Sequence, residues 1–340
     1  MKVAIIGASG YAGAELASLL HSHQHVSELT LFVSEQSQDI GKELSELYPK
    51  LHALENHRLH AFSKPCFSQI VTELDAVFFA TPHEFSHLWA DKFLQFGVKV
   101  FDLSGAFRLK HAAQYPQHYQ FEHQSPNLLP KAVYGLVEWL EQDLTTTDLI
   151  AVPGCYPTAS LLSIKPLSSA HLLKANSMIV VNGISGVSGA GRKASLSTSF
   201  NEVSLTAYNI LQHRHQPEIS QECGYDVVFN PHLAPFKRGL LCTLTMQLKQ
   251  GVSQEQVQQA FSQAYANTPC VRLVKHWPKV DDVVGTPYAH LYFHYQADIG
   301  VIVVSCAIDN LLKGAASQAL QCFNSACGFS DNQTLIEVQG

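Results

Sequence analysis

Lys2-Val3-Ala4-Ile5-Ile6-Gly7-Ala8-Ser9-Gly10-Tyr11-Ala12-Gly13-Ala14-Glu15-Leu16 opens the chain with an apolar strand, a glycine-rich turn and the start of an amphipathic helix. Glycine lets a backbone come close to a pyrophosphate, whose charge is met by the amides and positive dipole of the helix start. The spacing is G-x-x-G-x-x-G, with Ala8 where the commonest fingerprint has its second glycine. Position counts for more than spacing, because the motif carries meaning only directly after a strand and directly before a helix. Gly7, Ser9, Gly10, Tyr11, Ala12 and Gly13 are therefore the expected contacts of a bound dinucleotide.

Outward from this stretch, short apolar runs alternate with amphipathic ones, the pattern of parallel strands joined by helical crossovers. Strands are expected at 2–6, 29–34, 75–80, 98–102 and 149–152, with helices at 11–21 and 84–96, giving a Rossmann-type α/β domain over residues 1–154. A helix at about 158–170 follows, and then the texture changes. MIVVNGI, DVVFN, GLLCTLTMQLK, VRLVK, YAHLYFHYQ and GVIVVSCAI succeed one another with one further helix, 253–266, among them. That is an α+β domain built on a largely antiparallel sheet. Residues 155–314 are expected to form this catalytic, substrate-binding and oligomerisation domain, and a broad sheet of this kind commonly pairs with its own copy, as a homodimer or homotetramer. The last helix, 313–327, is rich in alanine and is expected to return to the first domain, which residues 315–340 would complete.

An NAD-selective second strand usually ends in Asp or Glu to hold the ribose hydroxyls. Here LTLFVS ends in Ser34, followed by Glu35, Gln36 and Ser37. The hydroxyls of Ser34 and Ser37 suit a 2′-phosphate and hence NADP (NADPH); Glu35 opposes it if it faces the same way.

The composition excludes several classes of function. A formal charge of −6 over 340 residues argues against nucleic acid as a partner. No apolar run approaches the ~20 residues of a membrane span, and Met1 leads straight into the first strand without the features of a secretory signal. Eight cysteines without a CxxC pair fit a reducing cytoplasm, most of them as small core residues. His21, His23 and His25 read as a solvated helix end and not as metal ligands, and no metal site is expected.

One cysteine stands apart. Cys155 lies in Val152-Pro153-Gly154-Cys155-Tyr156-Pro157-Thr158-Ala159, between an apolar strand and an apolar helix. A thiol at a helix start is held near a partial positive charge, which favours the thiolate, and Pro157 suits a first helical turn. A thiolate nucleophile wants an imidazole in reach. Of eighteen histidines, His213 and His215 are the ones grouped with a guanidinium and a carboxylate, in His213-Arg214-His215-Gln216-Pro217-Glu218. For a departing phosphate, Arg108 in Asp102-Leu103-Ser104-Gly105-Ala106-Phe107-Arg108 is the best cation. Arg192 and Lys193 come second, closing the glycine-rich Ser185-Gly186-Val187-Ser188-Gly189-Ala190-Gly191. Each of these charged residues, taken singly, is more often a surface group.

GASGYAGAEL, DLSGAFR, AVPGCYPTA, SGVSGAGRK, HRHQPEI and DNLLKGAA together span nearly the whole chain, which by these strings closely resembles the N-acetyl-gamma-glutamyl-phosphate reductases. The resemblance implies a glyceraldehyde-phosphate-dehydrogenase-like fold and NADPH-dependent reduction of an acyl phosphate to an aldehyde through a thioester, in arginine biosynthesis. It implies Cys155 as the nucleophile, His215 as acid and base with His213 as the alternative, and Ser185, Arg108, Arg192 and Glu218 around the substrate. It also implies Gly186, Ser188 and Asn310 near the nicotinamide, although Asn310 is equally suited to cap the last helix. Aspartate-semialdehyde dehydrogenase is the rival within the class; a nucleotide-binding sensor and a Cys/His hydrolase are rivals outside it.

Overall fold

Val3, Ala4, Ile5 and Ile6 are buried without alternation, as are all four residues of Ala76–Phe79, the pattern of central strands covered on both faces. In the computed structural model, which describes residues 1–336, these become β1 (Lys2–Ile6) and β4 (Ala76–Phe79) of a seven-stranded sheet. Its other strands are β2 (Glu28–Ser34), β3 (Leu59–Phe62), β5 (Lys99–Asp102), β6 (Val133–Tyr134) and β7 (Leu149–Ala151). The order is β3-β2-β1-β4-β5-β7-β6, and every pairing is parallel. Strand order reverses between β1 and β4, so the crevice beyond their carboxyl ends is the place where such sheets take their ligands.

Helices α1 (Tyr11–His21), α2 (Leu44–Leu47), α3 (Lys64–Ile70), α4 (His83–Leu94) and α5 (Tyr115–Tyr119) connect these strands. On α1, Ala14, Leu16, Ala17 and Leu20 are buried, a stripe of helical period. Beneath α3 and α4, Phe62, Val77, Phe79 and Phe93 form a core with Phe67 and Trp89 packed against it. Strand β3 and helix α3 escape the sequence reading because the strand has four residues interrupted by His60, and the helix opens on Lys64-Pro65 with no buried residue.

This first unit comprises Met1–Pro153 and the chain from Ala315 onward; Gly154–Gly314 form the second. The boundary at Ala315 falls inside a short π-helical turn, Leu312–Ala316, after which the chain continues as α9 (Ser317–Ala326). Although α9 is rich in polar residues, nearly all of it is buried, and several of its polar groups find partners within the unit. Gln318 Nε2 and the Cys322 thiol both donate to the Gly135 carbonyl, each at 3.0 Å. His23 Nε2 meets Asn324 Oδ1 at 2.9 Å. His23 is thus buried and not solvated, contrary to the sequence reading, whereas His21 and His25 are exposed.

In the second unit, β8 (Ile179–Gly186), β9 (Thr206–Ala207), β10 (Val227–Ala234), β11 (Leu240–Gln247), β12 (Val271–Leu273), β13 (Ala289–Gln296) and β14 (Val301–Ile308) form a sheet in the order β12-β13-β14-β11-β8-β10-β9. Four of its six pairings are antiparallel, and two are parallel. Helices α6 (Cys155–Ser169), α7 (His215–Cys223) and α8 (Gln254–Ala264) belong to this unit, with α6 packed on β11 and β14 and α7 on β10. Alternation along the strands buries Ile179, Val181, Phe229, Cys242 and Leu244, and leaves Val180, Ile184, Val228, Leu241 and Val303 only part-buried on the opposite face. No helix among the described residues is long and apolar enough to cross a membrane.

A methyl group at Gly135 would lie 2.5 Å from Cys322 Sγ and 2.8 Å from Ile150 Cγ2. Gly135→Ala is expected to destabilise the first unit by about 1–3 kcal/mol, the usual cost of overpacking, seen as a lower urea midpoint.

Candidate active site

The glycine-rich turn after β1 is shaped by contacts that leave no room for side chains. Gly7 has φ +92°, a conformation that favours glycine, and a Cβ there would lie 2.2 Å from the Ala80 carbonyl oxygen at the end of β4. At Gly13 it would lie 2.4 Å from the Gly7 oxygen. Helix α1 therefore starts hard against the turn, with Gly10 as its N-cap and no side chain capping it. Such a start presents main-chain donors to an anion. Tyr48, which the sequence reading passed over, donates its hydroxyl proton to the Ser9 carbonyl at 2.8 Å and sets its ring edge-on to Tyr11 at 6.3 Å. These residues fit a dinucleotide: the turn is held open by glycine on one side and pinned by Tyr48 on the other.

At the end of β2, Ser34 Oγ donates to Gln36 Oε1 at 2.8 Å and accepts from the Gln36 amide at 3.2 Å. Ser37 Oγ accepts from the Asp39 amide at 3.2 Å, and Glu35 is exposed. Both hydroxyls are thereby set in a tight turn at the strand end. Arg108, also in the first unit, is buried. Its Nε donates to the Val152 carbonyl and its Nη2 to that of Leu103, both at 2.8 Å.

Cys155 is the first residue of α6, whose N-cap is Gly154 with no side-chain cap. The helix starts earlier than the apolar pattern suggested, at 155 and not 158, with Pro157 in its first turn. The Gly154 carbonyl accepts the amide of Thr158 at 2.8 Å and its hydroxyl at 3.0 Å. Apart from Cys155 and Lys165, α6 is buried nearly all round through Leu167. The half-buried Cys155 also lies against Gly314, where a Cβ would come within 2.6 Å of its own Cβ. Only a glycine at 314 allows the cysteine this place, a constraint invisible in sequence because 159 residues separate the two.

His213 and His215 lie at the start of a helix that the sequence analysis did not anticipate, reading this as a polar segment. Helix α7 begins at His215 and ends at Gly224 in the left-handed conformation. Its polar composition hid it; among its nine residues, Ile219 and Cys223 are the buried apolar ones. His213 Nδ1 accepts the His215 amide at 3.1 Å, so that ring serves the start of α7 with its unprotonated nitrogen. Both imidazoles gather around Tyr156, the neighbour of Cys155, with centroids 6.0 Å from its ring and 4.7 Å from each other. Tyr156 is itself fixed by donating to the His232 carbonyl at 3.1 Å. Glu218, one turn along α7 and fully enclosed, accepts the Gly154 amide on Oε1 at 2.9 Å. Cys155 thus opens α6, His215 and Glu218 lie on α7 packed against it, and His213 directly precedes α7.

A second group forms around Ser188. The main chain of Gly186–Ser188 is bonded to Phe236–Gly239: the Val187 amide donates to the Phe236 carbonyl at 2.9 Å, and that of Ser188 to Lys237 at 3.0 Å. Asn310 does not cap the last helix. Its Oδ1 accepts the Gly239 amide at 2.7 Å, and its Nδ2 donates to Ser188 Oγ at 3.0 Å. Asp309 instead caps the π-helical turn that leads into α9, accepting the amides of Leu311 and Leu312 at 2.8 and 3.2 Å. Its other oxygen takes Arg238 Nε and the Gly285 amide, both at 2.7 Å. Ser185 is buried and donates to the Gly186 carbonyl at 3.1 Å, whereas Arg192 lies on an exposed stretch. Tyr48, Arg238, Asp309 and Gly314 are the residues sequence reasoning missed.

Comparison with known proteins places these features. The semialdehyde dehydrogenase NAD binding domain family matches residues 2–147, and the semialdehyde dehydrogenase dimerisation domain family matches residues 155–310. An N-acetyl-gamma-glutamyl-phosphate reductase of Tolumonas auensis is 50% identical over 336 residues, covering 99% of this chain and 100% of its own. That of Shewanella denitrificans is 54% identical over 323 residues, 94% of this chain and 97% of its own. Among solved structures, aspartate semialdehyde dehydrogenase II of Vibrio cholerae superposes with a TM-score of 0.72 at 18% identity, covering 96% of this chain and 98% of that one. At such identity the likeness is one of fold.

Burial first, and Arg214 second, push the His213 imidazole down to about 4. Folded, that ring stays neutral to about pH 4; unfolded, it takes a proton near the ordinary 6.5. Its stabilising contribution is therefore complete above pH ~6.5 and is lost as pH falls toward 4, at ~1.4 kcal/mol per unit of separation. His213→Asn, whose amide oxygen still accepts the His215 amide, is expected to flatten the wild-type decline in unfolding free energy between pH 6.5 and 4.5.

Proposed function

Because the chain belongs to the N-acetyl-gamma-glutamyl-phosphate reductase family, we propose that it reduces N-acetyl-gamma-glutamyl phosphate to N-acetylglutamate 5-semialdehyde with release of phosphate, a cytoplasmic step of arginine biosynthesis. The observation that carries the reading is the placing of Cys155 at the uncapped start of α6, next to a tyrosine that two imidazoles surround. A half-buried sulfur in such a position is an activated nucleophile, and the remaining cysteines lack the setting.

The Cys155 thiolate attacks the acyl carbon, the bond to the phosphate oxygen breaks, and the acyl group remains as a thioester on sulfur. Arg108 and Arg192 are assigned to the leaving phosphate as the guanidinium partners such an anion prefers. The turn Gly7, Ser9, Gly10, Tyr11, Ala12 and Gly13 would hold NADPH, with Ser34 and Ser37 at its 2′-phosphate and Gly186, Ser188 and Asn310 toward the nicotinamide. When bound, that cofactor supplies the hydride that takes the thioester carbonyl to the aldehyde level. Proton traffic falls to His215 in preference to His213: the latter commits Nδ1 to the start of α7 and is held neutral by burial. His215 thus returns a proton to the developing oxyanion and takes up that of the thiol.

In the reverse direction, N-acetylglutamate semialdehyde, phosphate and NADP should give a phosphate-dependent rise in nicotinamide absorbance. Aspartate semialdehyde is expected to give none. Cys155→Ser should lose about 10³-fold or more in kcat while NADPH still binds, and His215→Asn should lose far more than His213→Asn. Substantial turnover by the serine variant would end the thioester reading.

The same proposal extends to assembly as a homodimer through the face of the second sheet opposite α6 and α7, where Val180, Ile184, Val228, Leu241 and Val303 stay part-buried. The family name of residues 155–310 supports this choice of unit. Sedimentation at micromolar concentration should give a dimer or a dimer of dimers, and Leu241→Arg should shift it toward monomer.

A further inference from the structure

The catalytic proposal leaves one question of construction: what keeps the nucleophile on α6 in register with the imidazole on α7. Their sequence positions are sixty residues apart, with strands β8 and β9 between the two helices along the chain. Glu218 touches both sides of this problem. Its side chain is 0% exposed, and Oε1 accepts the Gly154 amide at 2.9 Å, on the residue immediately before Cys155. Gly154 is also held through its carbonyl, by the amide and hydroxyl of Thr158. On α7, Glu218 follows His215 by three residues, so the two side chains rise from the same face of the helix.

We propose that Glu218 is a positioning residue: its hydrogen bond to the Gly154 amide ties the turn that carries Cys155 to the helix that carries His215. The inference rests on the assignment of Cys155 and His215 above, and it departs from the expectation that Glu218 holds the substrate. A strut of this kind needs a side chain of the right length ending in an acceptor. It does not need a charge, because a main-chain amide is satisfied by an amide oxygen as well as by a carboxylate oxygen. A substrate contact made through charge would have the opposite requirement.

Three variants of the full chain separate these cases: Glu218→Gln keeps length and acceptor, Glu218→Asp keeps charge but is a methylene shorter, and Glu218→Ala keeps neither. Two readouts are taken on each. One is kcat and KM for N-acetylglutamate semialdehyde with NADP and phosphate; the other is the pH dependence of iodoacetamide alkylation at the Cys155 peptide, followed by mass spectrometry. Glu218→Gln is expected to stay within about threefold of wild type in both, while Glu218→Asp and Glu218→Ala lose about tenfold or more in kcat with KM changed less than about threefold. Their alkylation profiles at Cys155 should shift as well. The proposal is overturned if aspartate is tolerated and glutamine is not, if KM rises while kcat holds, or if Cys155 alkylates in Glu218→Asp as in wild type. Should the alanine variant fail to fold, the glutamine and aspartate pair decides alone. Alkylation needs no substrate, so a wild-type chain inactive on the semialdehyde would refute the functional reading and still leave the strut to be judged.

Discussion

A helix begins with main-chain amides that have no partner inside it, and the two stretches proposed to hold the cofactor and the nucleophile both start on that deficit. At α1 and again at α6 the N-cap is a glycine, and no side chain turns back to take the amides. Ser63 on α3 and Ser253 on α8 cap their helices with a side chain, whereas α4, α5, α7 and α9 have no side-chain cap but begin on residues other than glycine. The contrast is chemical. A serine or aspartate at position 10 or 154 would satisfy a main-chain donor that glycine leaves to other partners. At α1 the glycines have a second reason, since Gly7 and Gly13 pack against main chain where any side chain would collide.

Much of this was legible because it depends on neighbours in sequence. The strand-turn-helix of residues 2–21 and the turn at 153–157 are local patterns, and local patterns of apolar period and glycine placement specify their own geometry. What was not legible depends on partners far along the chain. Helix α7 looked like a polar loop because Gln216, Glu218 and Gln221 suggest solvent, whereas Glu218 is enclosed by virtue of an amide 64 residues away. Gly314 reads as one small residue among several in DNLLKGAA, and its necessity appears only when Cys155 is laid against it. His23, taken for a surface residue, is internal because Asn324 reaches it from the other end of the chain.

Asp309 and Asn310 show how a neighbour can change a residue's meaning. Either side chain is a competent helix cap, and sequence alone gives no reason to prefer one. The structure gives the capping to Asp309, whose carboxylate is fully buried yet meets Arg238 and three main-chain amides. A buried carboxylate so completely paired is tolerated, whereas an unpaired one would be costly. With the cap made by its neighbour, Asn310 turns to Gly239 and Ser188.

The consequence reaches the glycine-rich stretch at 185–191, which by composition ought to be pliable. Its first half is bonded to Phe236–Gly239 through successive main-chain amides, and Arg238, in the middle of that segment, is anchored on Asp309. Gly186 is where the two segments come closest, since a Cβ there would lie 2.7 Å from the Phe236 oxygen and 2.8 Å from the Arg238 nitrogen. Glycine at this position therefore serves rigidity and not freedom: it admits the supporting strand to a distance that any other residue would forbid. Ser188 is held on the far side of that contact by Asn310, which also takes the Gly239 amide. The Arg238–Asp309 ion pair thereby anchors the segment on which this loop is packed.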